Sequence, residues 1–447
     1  MTTPAVRLLQ RVDRAGGGLA ADLGLYLVSA AFALITARTS TLLPHRAWGA
    51  IAVWGYAFAV VAVLLQILGR RFPAYARIAG NRARAALAWT TGVLAALLPL
   101  VVEAVQRAGG RTDRAQEEVL VVERMGERLL HDGTPYLGRD AIAALPLDER
   151  LMGYSPYQPG MAVFGLPRAI FGDFWWTDAR VWFAAVTGAA LIVAIRMLSP
   201  RSAGRAAGRS AGRAIAGGVG GSVPGDTRAS VVRAVQAVVV LPICTLTLAT
   251  GGDDLPVLGL CLLALALAAT DRYGWAGVAV GAAAAGKLFA FPVVAVLAAV
   301  AIANGRWRSF LPGAIGLPIL VLIPPFLVDA DAFVENVLRF PLGHGLVTSP
   351  AQSPFPGYLI AQHLPGGRFL AAALLVAVAG VIAGWLVRRP PRTAGSAGLI
   401  CGVGLLAAIL LMPTTRFGYL LYPIAFLVWA PALRSDVSQR AFSKHTA

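Results

Sequence analysis

Carboxylates and basic side chains recur in the short polar segments between the long apolar runs of this 447-residue chain. A carboxylate can accept a proton, and a lysine or arginine can neutralise an anion. Ionisable groups so close to lipid are costly, so they are candidates for function. The candidate residues are Asp113, Glu117, Glu118, Asp178, Asp253, Asp254, Lys287, Arg339, His344 and Arg416, with the aromatic Tyr154 and Tyr157.

The apolar runs between these segments are long enough to cross a bilayer. Hydrophobic residues make up 57% of the chain and charged residues 14%, against roughly a quarter charged in soluble domains. Because about 20 apolar residues span a membrane, the runs predict an all-α polytopic membrane protein with about twelve transmembrane helices. The predicted spans are 22–42, 47–69, 86–106, 180–198, 234–250, 255–270, 275–303 as two short helices that meet at Gly286-Lys287, 310–328, 369–387, 396–412 and 417–433.

The basic residues predict the orientation of these spans. With the N-terminus inside, 24 of the 39 Lys and Arg residues fall in cytoplasmic segments, as the positive-inside rule requires. This places both termini in the cytoplasm, the candidate residues outside, and Lys287 at a water-facing tip. The positive charge is therefore explained by membrane lipids, and we expect no nucleic-acid partner. The basic N-terminus is interpreted as an anchored start rather than a cleaved signal peptide.

The largest external segment, residues 107–179, is predicted to contain an amphipathic helix. Apolar residues recur there at steps of three and four, so the helix should lie along the membrane interface. The apolar residues of this face are Val119, Val122, Met125, Leu129 and Leu130, and its Leu and Val side chains are expected to dip into lipid. Tyr154 and Tyr157, with Trp175 and Trp176, are expected either to form an aromatic belt or to stack on a sugar. The apolar stretch 161–171 is expected to be re-entrant or interfacial.

Composition also suggests a division of the chain. Residues 1–85 would be two additional spans with a basic loop, 86–198 the start of the core with the external loop, and 234–433 the rest of the core. The Gly/Ala/Arg/Ser-rich residues 199–233 are predicted to be a disordered cytoplasmic linker, and 434–447 a cytoplasmic tail. Three cysteines lie inside apolar runs and are interpreted as small core residues.

Several strings in the polar segments resemble a known superfamily. They are TDRAQEEVLVVERMGERLLHDGTPY (112–136), YSPYQPGMAVFGLP (154–167), TDARVWF (177–183), GGDDLPVLGL (251–260), AGVAVGAAAAGKLFAFP (276–292) and RFGYLLYP (416–423). Their order resembles the GT-C glycosyltransferases that use polyprenyl-phosphate sugars, and within them glycosyltransferase family 87, alpha-mannosyltransferase-like membrane proteins of actinobacteria. Two features differ from that pattern: the acidic segment follows the third span rather than the first, and Glu118 stands where the family often has Asp.

The resemblance implies displacement of a polyprenyl phosphate from the anomeric carbon of a sugar, with inversion. Glu118 is the expected base, with Asp113 and Glu117 as alternatives, while Glu123 and Glu127 are expected to be solvated. Lys287 and Arg416 are expected to bind the phosphate, or else to reach the headgroups as simple surface cations. The remaining candidates are Arg339 and His344 for sugar or phosphate contact, Asp253 and Asp254 for a sugar hydroxyl or a turn, and Asp178 for the pocket or a helix cap.

The partners implied are a polyprenyl-phosphate sugar donor, expected to carry mannose, a glycan or glycolipid acceptor in the cell envelope, and the lipids of the plasma membrane. No metal-ligand spacing and no cofactor fingerprint is present in the sequence, so neither a bound metal nor a cofactor is expected. Two other classes stay open from the sequence. One is a secondary transporter with twelve spans, and the other is a non-catalytic envelope scaffold.

Overall fold

The computed structural model describes residues 15–199 and 224–434. Within these ranges the chain forms helices, and the only strand-like pairing is an isolated parallel bridge between Gln352 and Thr415. Most of the predicted linker and nearly all of the predicted tail lie outside the described residues. The helices used below are α1 (Leu19–Thr39), α2 (Leu43–Gly69), α3 (Asn81–Ala108), α4 (Glu117–Asp132), α5 (Ala179–Leu198), α6 (Arg228–Thr250), α7 (Asp254–Ala269), α8 (Tyr273–Gly286), α9 (Leu288–Ala303), α10 (Trp307–Val328), α11 (Gly367–Arg388), α12 (Ala394–Leu411) and α13 (Phe417–Trp429).

Each predicted span corresponds to one of these helices. In the described part of the chain, eight helices are long and apolar enough to cross a membrane: α1, α2, α3, α5, α6, α10, α11 and α12. Three shorter apolar helices, α7, α9 and α13, accompany them. The structure therefore confirms a helical, multi-pass membrane protein, whereas the number of twelve crossings and the external position of the loop stay predictions.

The chain divides into two compact units. The first contains α1, α2, α3 and α6, and the second contains α4, α5 and α7 to α13. The domain bounds predicted from composition are not tested by this division and stay a prediction.

In the first unit, a proline inside α3 is accommodated by a tryptophan of α2. Pro99 has no N–H, so the carbonyl of Ala95, four residues earlier, loses its helical partner. The indole Nε1 of Trp48 donates to that carbonyl at 2.7 Å, and both residues are buried. The helix winds as a π-turn over Val93–Leu97, which is how membrane helices tolerate proline once the freed carbonyl is satisfied.

A buried charged network joins three helices of the same unit. Asp22 of α1 accepts from Arg84 of α3 at 2.6 Å, and from Arg233 and Gln236 of α6 at 2.5 and 2.9 Å. Asp22, Arg84 and Gln236 are all buried. A charge in such a place is stable only while its partners remain.

Replacing Asp22 by asparagine should therefore destabilise the protein strongly. Removing one member of a buried ion pair costs about 3–5 kcal/mol, because Arg84 stays buried without a counter-charge. Thermal unfolding of the detergent-solubilised protein measures the effect. Asp271→Asn is the control, since its pair with Arg306 is exposed on both sides and should cost about 0–1 kcal/mol. Equal melting temperatures for the two variants would contradict the prediction.

In the second unit, the long apolar run 275–303 is broken as predicted. Helix α8 ends at Gly286, Lys287 has extended backbone angles, and α9 follows. Helix α8 lies very close to α10, because a Cβ on Gly277 or Gly281 would stand 2.1 Å from a carbonyl oxygen of the neighbouring helix. Small residues at such crossings let the backbones touch, as is usual between membrane helices.

The prediction that the apolar face of α4 dips into lipid is wrong for most of that face. Val119, Val122 and Met125 are fully buried. They are covered by the segment Pro159–Phe171, where Gly165 lies so close to α4 that a Cβ would be 2.2 Å from the carbonyl oxygen of Val122. Leu130 alone of the five named residues is largely exposed. The stretch predicted to be re-entrant therefore serves as the packing partner of α4.

Candidate active site

Glu118 and Arg416 form an ion pair, although 298 residues separate them in sequence. Glu118 is the second residue of α4 and is partly buried, while Arg416 is more exposed. The loop carrying Arg416 is fixed by its neighbour Thr415, whose N–H donates to the carbonyl of Ala351 at 2.9 Å. The pair places a proton acceptor directly beside a cation.

The two alternative bases have different surroundings. Glu117 is exposed at the start of α4, as a solvated acid would be. Asp113 belongs to the first unit and accepts from Arg111 and Arg114 at 2.9 and 2.7 Å. The hydrogen bonds from Arg111 lower the pKa of Asp113 to about 2. A carboxylate with so low a pKa is a poor proton acceptor at neutral pH.

Lys287 lies between two buried carboxylates. Its Nζ is 2.8 Å from Oδ2 of Asp253 and 2.5 Å from Oδ1 of Asp254. Lys287 is only 7% exposed, so the prediction of a water-facing tip is wrong. The two aspartates follow the predicted turn, in which Gly252 has a φ of +88°, but both are buried. The cluster carries one cation against two anions and so leaves one negative charge.

Aromatic side chains enclose the same lysine. The rings of Tyr157 and Tyr419 lie 5.2 and 5.7 Å from its Nζ, within cation–π range. The hydroxyl of Tyr422 donates to Oδ1 of Asp254 at 2.9 Å. The N–H of Tyr419 donates to the carbonyl of Arg416 at 3.1 Å, so the lysine cluster and the Glu118–Arg416 pair belong to one neighbourhood of the second unit.

The backbone explains how Tyr157 reaches the lysine. The N–H of Gln158 donates to the carbonyl of Gly286, the last residue of α8, at 3.1 Å. Gly160 lies against α8 so closely that a Cβ would be 2.6 Å from the carbonyl oxygen of Ala285. This contact requires glycine at 160 and holds Tyr157 beside the end of α8.

A third cluster surrounds Glu335, a residue that the sequence analysis missed. Tyr154 donates its hydroxyl to Oε1 of Glu335 at 2.8 Å, and Arg139 reaches both carboxylate oxygens at 3.0 Å. The predicted Arg339 lies 3.5 Å from Oε2, and the carbonyl of His344 accepts from Arg139 at 3.2 Å. The only sequence signal was the i,i+4 spacing of Glu335 and Arg339.

Neither predicted tyrosine is a belt residue, because Tyr154 and Tyr157 are both buried. The belt interpretation fits Trp175, which is largely exposed. Tyr154 is stacked on Phe340 at a centroid distance of 4.1 Å, and its hydroxyl oxygen accepts the N–H of Leu346 at 2.7 Å. Tyr154 therefore connects Glu335 to the loop that contains Leu346.

Two further acids serve the start of α5. Asp178 caps the helix by accepting from the N–H of Arg180 at 3.0 Å, and it binds the guanidinium of the same residue, so the predicted capping role is confirmed. Glu123 was expected to be solvated. It is instead buried, accepts from the N–H of Ala179 at 3.2 Å and lies 3.4 Å from Nε of Arg168.

Among the described residues, no group of three or more His, Cys, Asp or Glu side chains is arranged to hold a metal ion. The buried carboxylates of Asp253 and Asp254 are both bound to the Nζ of Lys287.

The model of glycosyltransferase family 87 matches residues 156–413. The chain belongs to glycosyltransferase family 87. This confirms the predicted GT-C glycosyltransferase, and it removes support for the transporter and scaffold alternatives. The matched residues of this family 87 enzyme include Asp253, Asp254, Lys287, Glu335, Arg339 and His344. Glu118 lies 38 residues before the matched region, and Arg416 lies three residues after it.

Other comparisons add less. The structure of ArnT from Cupriavidus metallidurans in the apo state is similar to the family 87 enzyme, with a TM-score of 0.42 and 17% sequence identity over 74% of the chain. The chain spans 57% of the length of the ArnT chain. No curated protein matches the sequence.

Proposed function

We propose that this family 87 enzyme transfers a sugar, expected to be mannose, from a polyprenyl-phosphate donor to a glycan or glycolipid acceptor of the cell envelope. The observation that carries the proposal is the Glu118–Arg416 ion pair, which joins a proton acceptor to a cation from the other end of the chain. Both are needed when a hydroxyl attacks an anomeric carbon and a phosphate departs.

In the proposed reaction the acceptor oxygen forms a bond to the anomeric carbon from the face opposite the phosphate. The bond between that carbon and the phosphate oxygen breaks, and the electron pair leaves with the polyprenyl phosphate. Glu118 takes the hydroxyl proton, and Arg416 neutralises the leaving group. Because the phosphate leaves as a stable anion, it needs no proton, so a single carboxylate suffices and the configuration inverts.

The phosphate and the carboxylate would compete for Arg416. The guanidinium has five N–H donors and binds oxyanions in a fork, so an arriving phosphate would draw it from Glu118 and leave the carboxylate freer to accept a proton. Lys287 is less suited to the phosphate, because two aspartates already neutralise it. We propose instead that Lys287, with Asp253 and Asp254, positions Tyr157 and Tyr419 beside the sugar.

Arg416→Gln should lower sugar transfer from polyprenyl-phosphomannose by about 10²–10³-fold, the usual cost of losing one transition-state electrostatic contact. The measurement is transfer of radiolabelled mannose by purified protein. Arg306→Gln is the matched control, since Arg306 is also an exposed arginine with one carboxylate partner. Full activity of Arg416→Gln would contradict the assignment, and absence of transfer by the unaltered enzyme from any polyprenyl-phosphate sugar would overturn the proposed donor class.

The active site is proposed to face outward, with both termini in the cytoplasm. A single cysteine at position 140 should react with an impermeant maleimide only from outside, and one at position 215 only from inside. The three native cysteines are buried, so they give little background. The reverse labelling pattern would place the candidate site on the cytoplasmic side and exclude an external acceptor.

A further inference from the structure

The Glu335 cluster has an excess of positive charge at its surface. Glu335 is 0% exposed, whereas Arg139 and Arg339 are 44% and 47% exposed. Oε2 of Glu335 lies 3.0 Å from Nη1 of Arg139 and 3.5 Å from Nη1 of Arg339. The buried carboxylate therefore contacts both guanidinium groups, and each arginine side chain is nearly half exposed.

The two arginines retain donors that no side chain uses. Arg139 bonds Glu335 and the His344 carbonyl through Nη1 alone, and Arg339 makes only the 3.5 Å contact with Glu335 in the described part of the chain. Asp140 and Asp331 are exposed near these arginines in sequence, yet neither forms an ion pair with them. One buried negative charge thus faces two positive charges, and the surplus cation points outward.

The surroundings hold this arrangement in place. Glu335 is tied to Tyr154, which is stacked on Phe340 and bonded to Leu346. Gly345 is pressed against Phe340, since a Cβ there would come within 2.7 Å of the ring, and Gly343 has a φ of +83°. A loop held by a buried aromatic pair and by the bond from Leu346 to Tyr154 loses little freedom when a ligand binds, which favours affinity.

We propose that Arg139 and Arg339 form a phosphate-binding site, separate from the phosphate contact assigned to Arg416. The planar guanidinium groups match the oxygens of a phosphate, and two of them beside each other form a fork for a single oxyanion. The source of this phosphate rests on the proposed function: we assign it to the acceptor lipid. The phosphate of the sugar donor would then bind Arg416, and the phosphate of the acceptor would bind Arg139 and Arg339.

Binding can be measured without turnover, so its failure is distinct from failure of the proposed transfer. Native mass spectrometry of the detergent-solubilised enzyme would count retained molecules of phosphatidylinositol, of diacylglycerol without phosphate, and of inorganic phosphate. The variants are Arg139→Gln, Arg339→Gln and the double variant. Arg306→Gln is the matched control, and a thermal melt of each variant checks folding.

Each substitution should weaken phosphate binding about tenfold, the effect of losing one charge-assisted hydrogen bond. Phosphatidylinositol retained by the unaltered enzyme and by Arg306→Gln, but lost from the folded double variant, identifies a lipid headgroup as the source. The same pattern with inorganic phosphate alone identifies the free ion. The proposal is overturned if the double variant binds as the unaltered enzyme does, if diacylglycerol binds equally, or if Arg306→Gln weakens binding to the same extent.

Discussion

Glu118→Gln is expected to lower the rate of sugar transfer by about 10²–10⁴-fold, the contribution of a well-placed general base. Glutamine keeps the shape of the side chain and can still meet Arg416, but it cannot take the proton of the acceptor hydroxyl. The loss should therefore appear in kcat, with little change in the melting temperature. Radiolabelled transfer under saturating donor and acceptor measures it.

Two nearby acids on the same helix provide controls. Glu117 and Glu127 are exposed residues of α4, so Glu117→Gln and Glu127→Gln should retain nearly full activity. A pH profile adds a second test, because loss of the base should remove the acidic limb of the rate curve. If Glu118→Gln is active and Glu117→Gln is not, the base is Glu117. If both are active, the proton acceptor lies elsewhere.

Lys287→Met should destabilise the protein by about 3–5 kcal/mol, as expected when one partner of a buried ion pair is removed. Methionine fills much of the same volume, so the main effect is that Asp253 and Asp254 remain buried side by side without a cation. Thermal unfolding in detergent is the measurement. If the folded fraction retains transfer activity, Lys287 contributes to the structure of the site and not to the chemical step.

A second substitution separates charge from packing. Adding Asp253→Asn to Lys287→Met removes one of the unpaired carboxylates and should recover part of the lost stability. Arg306→Met, at an exposed pair, should change stability by about 0–1 kcal/mol. If Lys287→Met melts like Arg306→Met, the buried cluster does not contribute to the fold as described.

Hydropathy predicted the positions of the helices well, because the need to bury about 20 apolar residues in lipid leaves a strong local signal. It also predicted the break before Lys287, where small residues surround a charge. It did not predict the burial of that lysine, since its partners Asp253 and Asp254 lie more than thirty residues earlier. An ion pair between residues so far apart in the chain leaves no pattern in the local sequence.

The same limit explains the errors around α4. A three- and four-residue apolar period indicates that one face of a helix is covered, but it does not say whether lipid or protein covers it. Gly126 and Gly165 were the available signal for a close helix contact. Glu335 was missed because a single acid in an apolar segment looks like a solvated charge until Tyr154 and Arg139 are brought to it.

The position of the Glu118–Arg416 pair determines what a chimera between members of family 87 would exchange. One partner precedes residue 156 and the other follows residue 413, so both lie beyond the region that matches the family. A chimera that received residues 156–413 from another member would keep the host's Glu118 and Arg416, the proposed proton acceptor and its cation. The graft would bring in the other member's residues at positions 253, 254, 287, 335 and 339, which belong to the lysine cluster and to the proposed second phosphate site.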